Sequence, residues 1–482
     1  MNKRMVAFFV GSVLRIEAML MILPTIVALL YREEEWIYIA VAAALSFGVG
    51  YGLSFRKPRN MSFYTREGIA AVALSWILMS VFGAIPLWHA VPHIGFTDAL
   101  FETISGFTTT GASILKEVES LPKGLLFWRS FTHWVGGMGI LVFMLAILPE
   151  AGGENIYLMR AESPGPSVGK LVPKVKSTAK ILYLIYLAIT LTEMTALKIT
   201  GMTLYESAII TFGTVGTGGF AVTNNSCAAY STLQQAVITF FMLVCGANFN
   251  VYFLLVARKF KEAFTSEEVL SYLSIYAGAT ILVAINSRNM FGGLYEAFHH
   301  SVFNVASIMT TTGFATADFN MWPNASRVMM LLVMFIGGCA GSTAGGIKVS
   351  RIVIGFKTIR KELEHLVHPR SVKILKFEGK PIEHAVLRGI NVYFLTYITV
   401  FAVSVLLVAF DGKDFTTTIT SVIATFNNIG PGLGTFGPTS NYAALTWMSK
   451  IVLVFAMLLG RLEIYPFIVM LRPSTWKSVR ES

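Results

Sequence analysis

Four short apolar segments of the chain each run into a turn rich in Thr and Gly: Thr108-Thr109-Thr110-Gly111, Thr214-Val215-Gly216-Thr217-Gly218, Thr310-Thr311-Thr312-Gly313 and Asn428-Ile429-Gly430-Pro431-Gly432. We align the glycines at positions 111, 218, 313 and 432 as equivalent. A single turn of this kind would carry little information. Four of them, each between two long apolar segments, predict one chain that folds into four similar units around a common axis.

Composition places these units in a membrane. The chain has 482 residues, of which 54% are hydrophobic and 13% charged, with a mean hydropathy of +0.64. Soluble domains carry about 25% charged residues. Apolar segments of about 20 residues, the length that crosses a bilayer, recur along the chain. We expect crossings near residues 6–30, 37–55, 68–88, 127–149, 180–200, 233–257, 268–286, 326–347, 389–410 and 447–470.

The segments before the four turns cover residues 98–107, 205–213, 295–309 and 415–427 and are too short to cross. Acidic residues stand at or just before their starts, as helix N-termini favour. The fold class expected is therefore an all-α integral membrane protein with ten transmembrane helices and four re-entrant pore loops in pseudo-fourfold repeats. The expected division is an N-terminal two-helix domain (1–60) and four repeats (61–155, 156–262, 263–380 with a broken second helix, and 381–482).

The distribution of basic residues predicts the orientation. With four re-entrant loops, most of the 38 Lys and Arg residues fall on the side of the N-terminus. The positive-inside rule then places both termini in the cytoplasm. The net charge of +11 thus reflects topology and lipid contact rather than nucleic-acid binding. Three cysteines without metal-ligand spacing make redox or metal catalysis a poor interpretation, and we do not expect an enzyme.

The turns themselves indicate a cation site. Irregular backbone at membrane depth is tolerated when it is buried in protein or lines a water-filled path. Four converging strands of carbonyl groups can replace the hydration shell of a monovalent cation of potassium size. The alternative is that these glycines only allow close helix packing, which fits residues 48–52 and 136–139 better. The expected carbonyl ligands are Thr109, Thr110, Gly111, Gly216, Thr217, Gly218, Thr311, Thr312, Gly313, Gly430, Pro431 and Gly432.

The most specific motifs lie at residues 108–112, 308–315, 337–348, 427–434 and 460–464. Through them the whole chain resembles the Trk/Ktr/HKT superfamily of potassium transporters. The resemblance implies one filter glycine per repeat. It also implies that the two N-terminal spans are the extra domain of the bacterial Trk type. In some plant relatives a serine at the first filter position goes with sodium preference; here that position is Gly111.

The resemblance further implies an intramembrane gate beneath the filter. In the family, an arginine in the last span projects into the pore, and a loop interrupts the eighth crossing. Here the arginine would be Arg461, with an ion pair to Glu463 as the alternative interpretation. The loop could instead be a tight-packing segment. The loop residues expected at the gate are Gly337, Gly338, Ala340, Gly341, Ser342, Thr343, Gly345 and Gly346.

By resemblance, the protein takes up K⁺ across the bacterial inner membrane as a homodimer with one pore in each protomer. A cytoplasmic TrkA-like subunit that binds NAD or ATP would control it, because this chain shows no nucleotide site of its own. Two alternatives remain open: a proton- or sodium-coupled symporter on the same scaffold, and the potassium-translocating subunit of an ATP-driven pump.

Overall fold

The structure, a computed structural model, describes residues 1–58, 65–139, 175–370 and 373–476. Helices dominate these ranges. Two short strands, β1 (Lys376–Phe377) and β2 (Lys380–Pro381), pair antiparallel with Lys376 opposite Pro381. The last residues of the expected fourth crossing, 140–149, lie outside the described residues.

The helices are numbered in chain order within the described ranges. They are α1 (Lys3–Leu20), α2 (Ile22–Leu30), α3 (Trp36–Ser54), α4 (Thr65–Ala90), α5 (Phe96–Phe107), α6 (Lys123–Gly137), α7 (Val175–Ile199), α8 (Leu204–Val215), α9 (Thr232–Gly246), α10 (Phe249–Val256), α11 (Phe260–Phe264), α12 (Glu267–Ser287), α13 (Leu294–Met309), α14 (Asn324–Ile336), α15 (Val349–Val367), α16 (His384–Ala409), α17 (Phe415–Phe426), α18 (Trp447–Arg461), α19 (Tyr465–Leu471) and α20 (Pro473–Trp476).

Several of these helices have the length and apolar character of membrane spans. In the described ranges there are six: Lys3–Leu30, Trp36–Ser54, Arg66–Ala90, Ala179–Ile199, Phe260–Ser287 and His384–Ala409. Two bent helix pairs raise the number to eight if each pair is one span. These segments coincide with eight of the expected crossings, so the chain is a helical membrane protein.

The N-terminal helices α1 and α3 cross at two glycines. A Cβ atom at Gly11 would lie 2.6 Å from the carbonyl oxygen of Gly50, and one at Gly50 would lie 2.8 Å from that of Gly11. Only residues without side chains allow two helix backbones to approach this closely. Nothing lies within 4 Å of the corresponding positions at Gly48 and Gly52. In the stretch 48–52, the packing role therefore belongs to Gly50.

The rest of the described chain repeats one arrangement four times: a long helix, a short helix, a turn and a second helix. The sets are α4–α5–α6, α7–α8–α9, α12–α13–α14 and α16–α17–α18, and within each set the short helix packs against both others. Each second helix also packs against the short helix of the next set, and α18 of the fourth set returns to α5 of the first. The four repeats therefore close into a ring.

Acidic side chains or caps begin all four short helices, as their sequences predict. The carboxylate of Asp98 in α5 accepts from the amide of Gly95, which precedes that helix. Thr203 and Glu206 form a capping box on α8. Glu296 accepts from the amide of Gly292 (2.8 Å) before α13. Asp414 accepts from Thr417 (3.0 Å) in α17. The N-termini are thus satisfied by local side chains.

The second helices of the second, third and fourth repeats are shorter than the sequence predicts. We expected a break only in the third repeat, where α14 ends at Ile336 and residues 337–348 form a loop before α15. The chain also bends by 92° between α9 and α10 and by 119° between α18 and α19. At the first bend Asn248 caps α10. At the second bend Glu463 and Ile464 have positive φ angles of 54° and 67°. Each bend lies within one continuous apolar run, at 233–257 and at 447–470, so the sequence pattern did not predict it.

The crossing of α1 and α3 can be tested with a pair of substitutions. Gly50→Leu should lower the thermal unfolding midpoint in detergent, because the added side chain forces the two backbones apart at a cost of about 1–3 kcal/mol. Gly52→Leu, two residues away on the same helix and with nothing within 4 Å of its Cβ position, is the matched control and should leave the midpoint unchanged. Equal midpoints for the two variants, measured by tryptophan fluorescence, would contradict this packing.

Candidate functional site: a ring of four turns

The four turns share one backbone conformation. Each contains a non-glycine residue in the left-handed region, followed two residues later by a glycine with positive φ. Thr109, Thr217, Thr311 and Asn428 have φ angles of 53°, 55°, 55° and 55°. The glycines are Gly111, Gly219, Gly313 and Gly430, with φ angles of 76°, 82°, 83° and 99°. We refer to residues 108–111, 216–219, 310–313 and 427–430 as the ring turns.

Hydrogen bonds back to the short helices give the same register. In each turn, the residue before the glycine donates its amide to a carbonyl five positions earlier. The four bonds are Thr110 to Ser105 (2.8 Å), Gly218 to Gly213 (2.7 Å), Thr312 to Ser307 (2.8 Å) and Ile429 to Ala424 (2.8 Å). The amides are therefore directed towards the short helices.

This register corrects the alignment made from sequence. Gly219 and Gly430, rather than Gly218 and Gly432, are equivalent to Gly111 and Gly313. Gly218 corresponds to a threonine position. Gly432 lacks a positive φ, donates its amide to the carbonyl of Phe436 (2.8 Å), and packs on Thr420 of α17. The sequence contains a signal for the register of the second repeat, because the tripeptide Gly-Phe-Ala occurs at residues 219–221 and again at residues 313–315.

The ring glycines lie against the carbonyl groups of the next repeat. A Cβ atom at Gly111 would overlap the carbonyl oxygen of Gly218, one at Gly219 that of Thr312, and one at Gly313 that of Ile429. A Cβ atom at Gly430 would lie 2.7 Å from the carbonyl oxygen of Thr110, which closes the circle. Glycine is needed at these positions both for the positive φ and for the close approach. All four glycines also line one cavity, together with Pro431.

Four carbonyl oxygens of the ring turns accept no hydrogen bond within the part of the chain that the structure describes. Thr110, Gly218, Thr312 and Ile429 are buried, yet their carbonyls accept no hydrogen bond from any residue within the described ranges. Buried backbone carbonyls are nearly always paired with protein or with water. Four such groups in one closed ring of turns are therefore suited to bind an ion or ordered water.

Side chains hold the ring turns in place from outside. In the first repeat Arg129 forms a buried ion pair with Glu102 (2.6 Å), whose other carboxylate oxygen accepts from the amide of Ile114 (2.8 Å). The same guanidinium lies 3.5 Å from the ring centre of Phe220 beside the second turn. One ion pair therefore fixes two neighbouring turns.

The third repeat replaces this ion pair with an amide. Asn304, at the position of Glu102, donates to the hydroxyl of Thr316 (3.0 Å) after the ring turn. Glu102 and Asn304 therefore support their turns from equivalent positions, each nine residues before the ring glycine. In the fourth repeat Thr420 performs the same task by bonding both backbone groups of Leu433.

His133 and Asn428 join adjacent repeats. The Nε2 atom of His133 accepts from the amide of Phe220 (3.2 Å), so its Nδ1 carries the proton that is donated to the carbonyl of Gly106 (2.7 Å). Asn428 donates to the hydroxyl of Thr110 (2.9 Å). The sequence-based ligand set omitted Asn428 and Ile429 because the fourth turn was aligned on Gly432 instead of Gly430.

The glycine-rich loop of residues 337–348 lies against the third and fourth ring turns. The amide of Gly345 donates to the hydroxyl of Thr311 (2.6 Å), and a Cβ atom at Gly345 would lie 3.1 Å from that of Asn428. The loop is also bonded to the end of α9, where Thr343 donates to the carbonyl of Cys245 (3.2 Å). All of the gate residues expected between 337 and 346 belong to this loop.

Arg461 connects the loop to the first repeat. Its guanidinium donates to the carbonyls of Thr343 (2.8 Å), Gly136 (2.5 Å) and Gly137 (2.8 Å). Glu463 forms an ion pair with Arg351 at the start of α15. Arg461 and Gly345 both line a second cavity. The structure thus brings the arginine and the loop together.

The fold and the ring define the class of protein: a helical membrane protein in which four repeats enclose a ring of irregular backbone. The sequence profile of the family described as cation transport protein TrkH matches residues 34–478. The chain therefore belongs to the TrkH family.

Relatives cover the chain from end to end. The Trk system potassium uptake protein TrkH of Salmonella typhimurium is 35% identical over 484 residues, which cover 99% of this chain and 100% of that protein. TrkG of Escherichia coli K12 is 34% identical over 484 residues, covering 98% and 99%. The crystal structure of the potassium transporter TrkH from Vibrio parahaemolyticus superposes with a TM-score of 0.89 at 32% identity, covering 99% and 100%.

The register of the ring predicts the effect of a single methyl group. Gly219→Ala should lower the thermal midpoint in detergent, because a positive φ and an overlap with a carbonyl oxygen together cost about 1–3 kcal/mol. Gly412→Ala is the matched control, since Gly412 has a similar φ of 72° but nothing within 4 Å. The thermal midpoint of Gly412→Ala should fall less than that of Gly219→Ala. A loss at Gly412 as large as that at Gly219 would contradict the close approach.

Proposed function

We propose that the protein takes up K⁺ through a pore whose selective constriction is the ring of four turns. The ion passes inward down its electrochemical gradient. Two observations support this proposal. Four buried carbonyl groups that accept no hydrogen bond from the described residues lie in a closed ring of turns, and relatives that match the whole chain carry the name potassium uptake protein.

The chemistry of the ring favours a cation. Carbonyl oxygens carry partial negative charge, and the C-terminal ends of the short helices add negative potential. In each turn the amide before the ring glycine bonds back to the short helix, and we expect the carbonyls to face the ion. The proposed ligands are the carbonyls of Thr109, Thr110, Gly111, Thr217, Gly218, Gly219, Thr311, Thr312, Gly313, Asn428, Ile429 and Gly430.

The proposed gate combines the glycine-rich loop with Arg461. The loop contacts two ring turns, and the guanidinium of Arg461 donates both to the loop and to the end of α6. A fixed positive charge beside the path opposes the passage of a cation. Opening would then require the loop and the arginine to move apart.

The proposed topology has ten crossings and four re-entrant loops in the bacterial inner membrane. Repeats 61–155, 156–262, 263–380 and 381–482 surround the pore, and residues 1–60 form the extra domain. Both termini are placed in the cytoplasm, because this puts most basic residues on the inner side.

The proposed assembly is a homodimer with one pore in each protomer. A cytoplasmic TrkA-like subunit that binds NAD or ATP would control the gate. The name Trk system, which the relatives carry, supports additional subunits. Family membership favours this assembly over a subunit of an ATP-driven pump.

Coupled uptake is the second candidate. Glu17 on α1 and Glu193 on α7 are almost completely buried, and acidic groups within a membrane often serve ion pathways. The uncoupled pore predicts ⁸⁶Rb⁺ flux into proteoliposomes that persists without a proton or sodium gradient. Flux that requires either gradient would favour the symporter.

Selectivity should depend on the ring glycines. In proteoliposomes, K⁺ should compete with ⁸⁶Rb⁺ uptake far better than Na⁺ for the wild-type protein. Gly111→Ser should reduce this preference roughly tenfold, equivalent to about 1.4 kcal/mol, because it disturbs the carbonyl of the next repeat. Gly412→Ser, with a similar φ but outside the ring, should retain the wild-type ratio. Unchanged competition in Gly111→Ser would argue against the ring as the filter.

Removal of the charge at the gate should increase flux. Arg461→Ala is expected to raise ⁸⁶Rb⁺ uptake roughly tenfold, as if the barrier fell by about 1.4 kcal/mol. Arg288→Ala, an exposed arginine at the end of α12, is the control and should behave like the wild type. Equal or lower uptake in Arg461→Ala would contradict its role as a barrier.

A further inference from the structure

A buried carboxylate holds the glycine-rich loop at its base. Glu268 lies in the first turn of α12 and is 2% exposed. Its Oε1 accepts from the amides of Ala340 (2.6 Å) and Ser350 (3.2 Å), and its Oε2 accepts from the side-chain amide of Asn248 (3.2 Å). One carboxylate therefore binds both sides of the loop and the bend of the second repeat.

The bond to Asn248 links the two broken helices. Asn248 caps α10 with its side-chain oxygen, so its side-chain nitrogen is directed to Glu268. Nearby, the amide of Cys339 donates to the carbonyl of Gly246 (2.9 Å), and the amide of Phe249 donates to the carbonyl of Gly341 (3.1 Å). The base of the loop is thus held between α12 and the α9–α10 bend.

A cytoplasmic hairpin reaches the same position. Glu378 stands in the turn between β1 and β2, where it and Gly379 both have positive φ (51° and 73°), as two-residue hairpin turns require. Its carboxylate accepts from the hydroxyl of Ser266 (2.8 Å) and from the backbone amide of Glu268 (3.0 Å). The exposed hairpin therefore caps the helix that carries Glu268.

We propose that Glu268 is a positioning residue that holds the glycine-rich loop in its closed place, and that the hairpin acts on the loop through Glu378. The chain of contacts runs from the hairpin turn to the N-terminus of α12, then to Glu268 and to both sides of the loop. A cytoplasmic partner that displaces the hairpin would weaken this hold. The inference rests on the proposed function of the loop as a gate.

The native residue Cys339 provides a readout that does not depend on transport. Its side chain is buried, and it immediately precedes Ala340, whose amide binds Glu268. Release of the loop should expose this thiol to a water-soluble maleimide. Mass spectrometry of the full-length protein in liposomes would give the labelling rate at Cys339 separately from those at Cys227 and Cys245, which are also buried.

Three substitutions test the carboxylate. Glu268→Ala should raise the labelling rate of Cys339 on the order of tenfold, because hydrogen bonds to a charged group are the stronger ones. Glu268→Gln should raise it less, since the glutamine oxygen still accepts from the amides of Ala340 and Ser350 and only the bond from Asn248 is lost, where two amide donors then face each other. Combining Glu268→Gln with Asn248→Asp exchanges donor and acceptor and should restore the slow labelling. Glu262→Gln, an exposed carboxylate, is the control and should label at the wild-type rate.

The hairpin is tested in the same assay. Glu378→Ala should raise Cys339 labelling severalfold and ⁸⁶Rb⁺ uptake in parallel, with the K⁺/Na⁺ preference unchanged, since the ring turns are untouched. Glu383 is an exposed acidic residue beyond β2, and Glu383→Ala should change neither Cys339 labelling nor ⁸⁶Rb⁺ uptake. Wild-type labelling in Glu268→Ala, or failure of the double variant to restore slow labelling, would overturn the role of Glu268. Increased labelling without increased uptake would instead contradict the proposed gate and leave the hold on the loop intact.

Discussion

Backbone carbonyl groups buried in a membrane need partners, and this requirement governs the whole molecule. Helices satisfy their own backbone groups, but each of the four ring turns has a carbonyl that no described residue bonds. The surrounding structure keeps these groups close together by means of short capped helices, ring glycines that allow adjacent turns to touch, and ion pairs such as Glu102–Arg129. Family membership and the ring point to the same proposed function, a pore for a dehydrated cation.

The ring is closed by contacts between neighbours rather than by symmetry of sequence. Three of the repeats support their turns differently, with an ion pair in the first, an amide in the third and a hydroxyl in the fourth. The common element is the backbone: a left-handed residue, an amide bonded back to the short helix, and a glycine against the next carbonyl. Side chains can therefore vary so long as this backbone is preserved.

Sequence patterns predicted the repeats, the short helices and the loop at 337–348, because apolar length and acidic helix starts are local properties. They did not predict the register of the second and fourth turns. Two adjacent glycines at 218–219 and the Gly-Pro-Gly at 430–432 each offer several alignments, and only the bond to the carbonyl five residues earlier distinguishes them. The bends after α9 and α18 were also missed, since partners distant in sequence, such as Cys339 and Arg351, stabilise them.

The most direct test is anomalous diffraction from crystals grown in Rb⁺, with crystals grown in Na⁺ as the comparison. A peak is predicted on the axis of the ring, within coordinating distance of the carbonyl oxygens of Thr110, Gly218, Thr312 and Ile429, and it should be absent in Na⁺. Rb⁺ bound elsewhere with an empty ring, or coordinated in the register of Gly432, would contradict the proposal that these four turns are the potassium site.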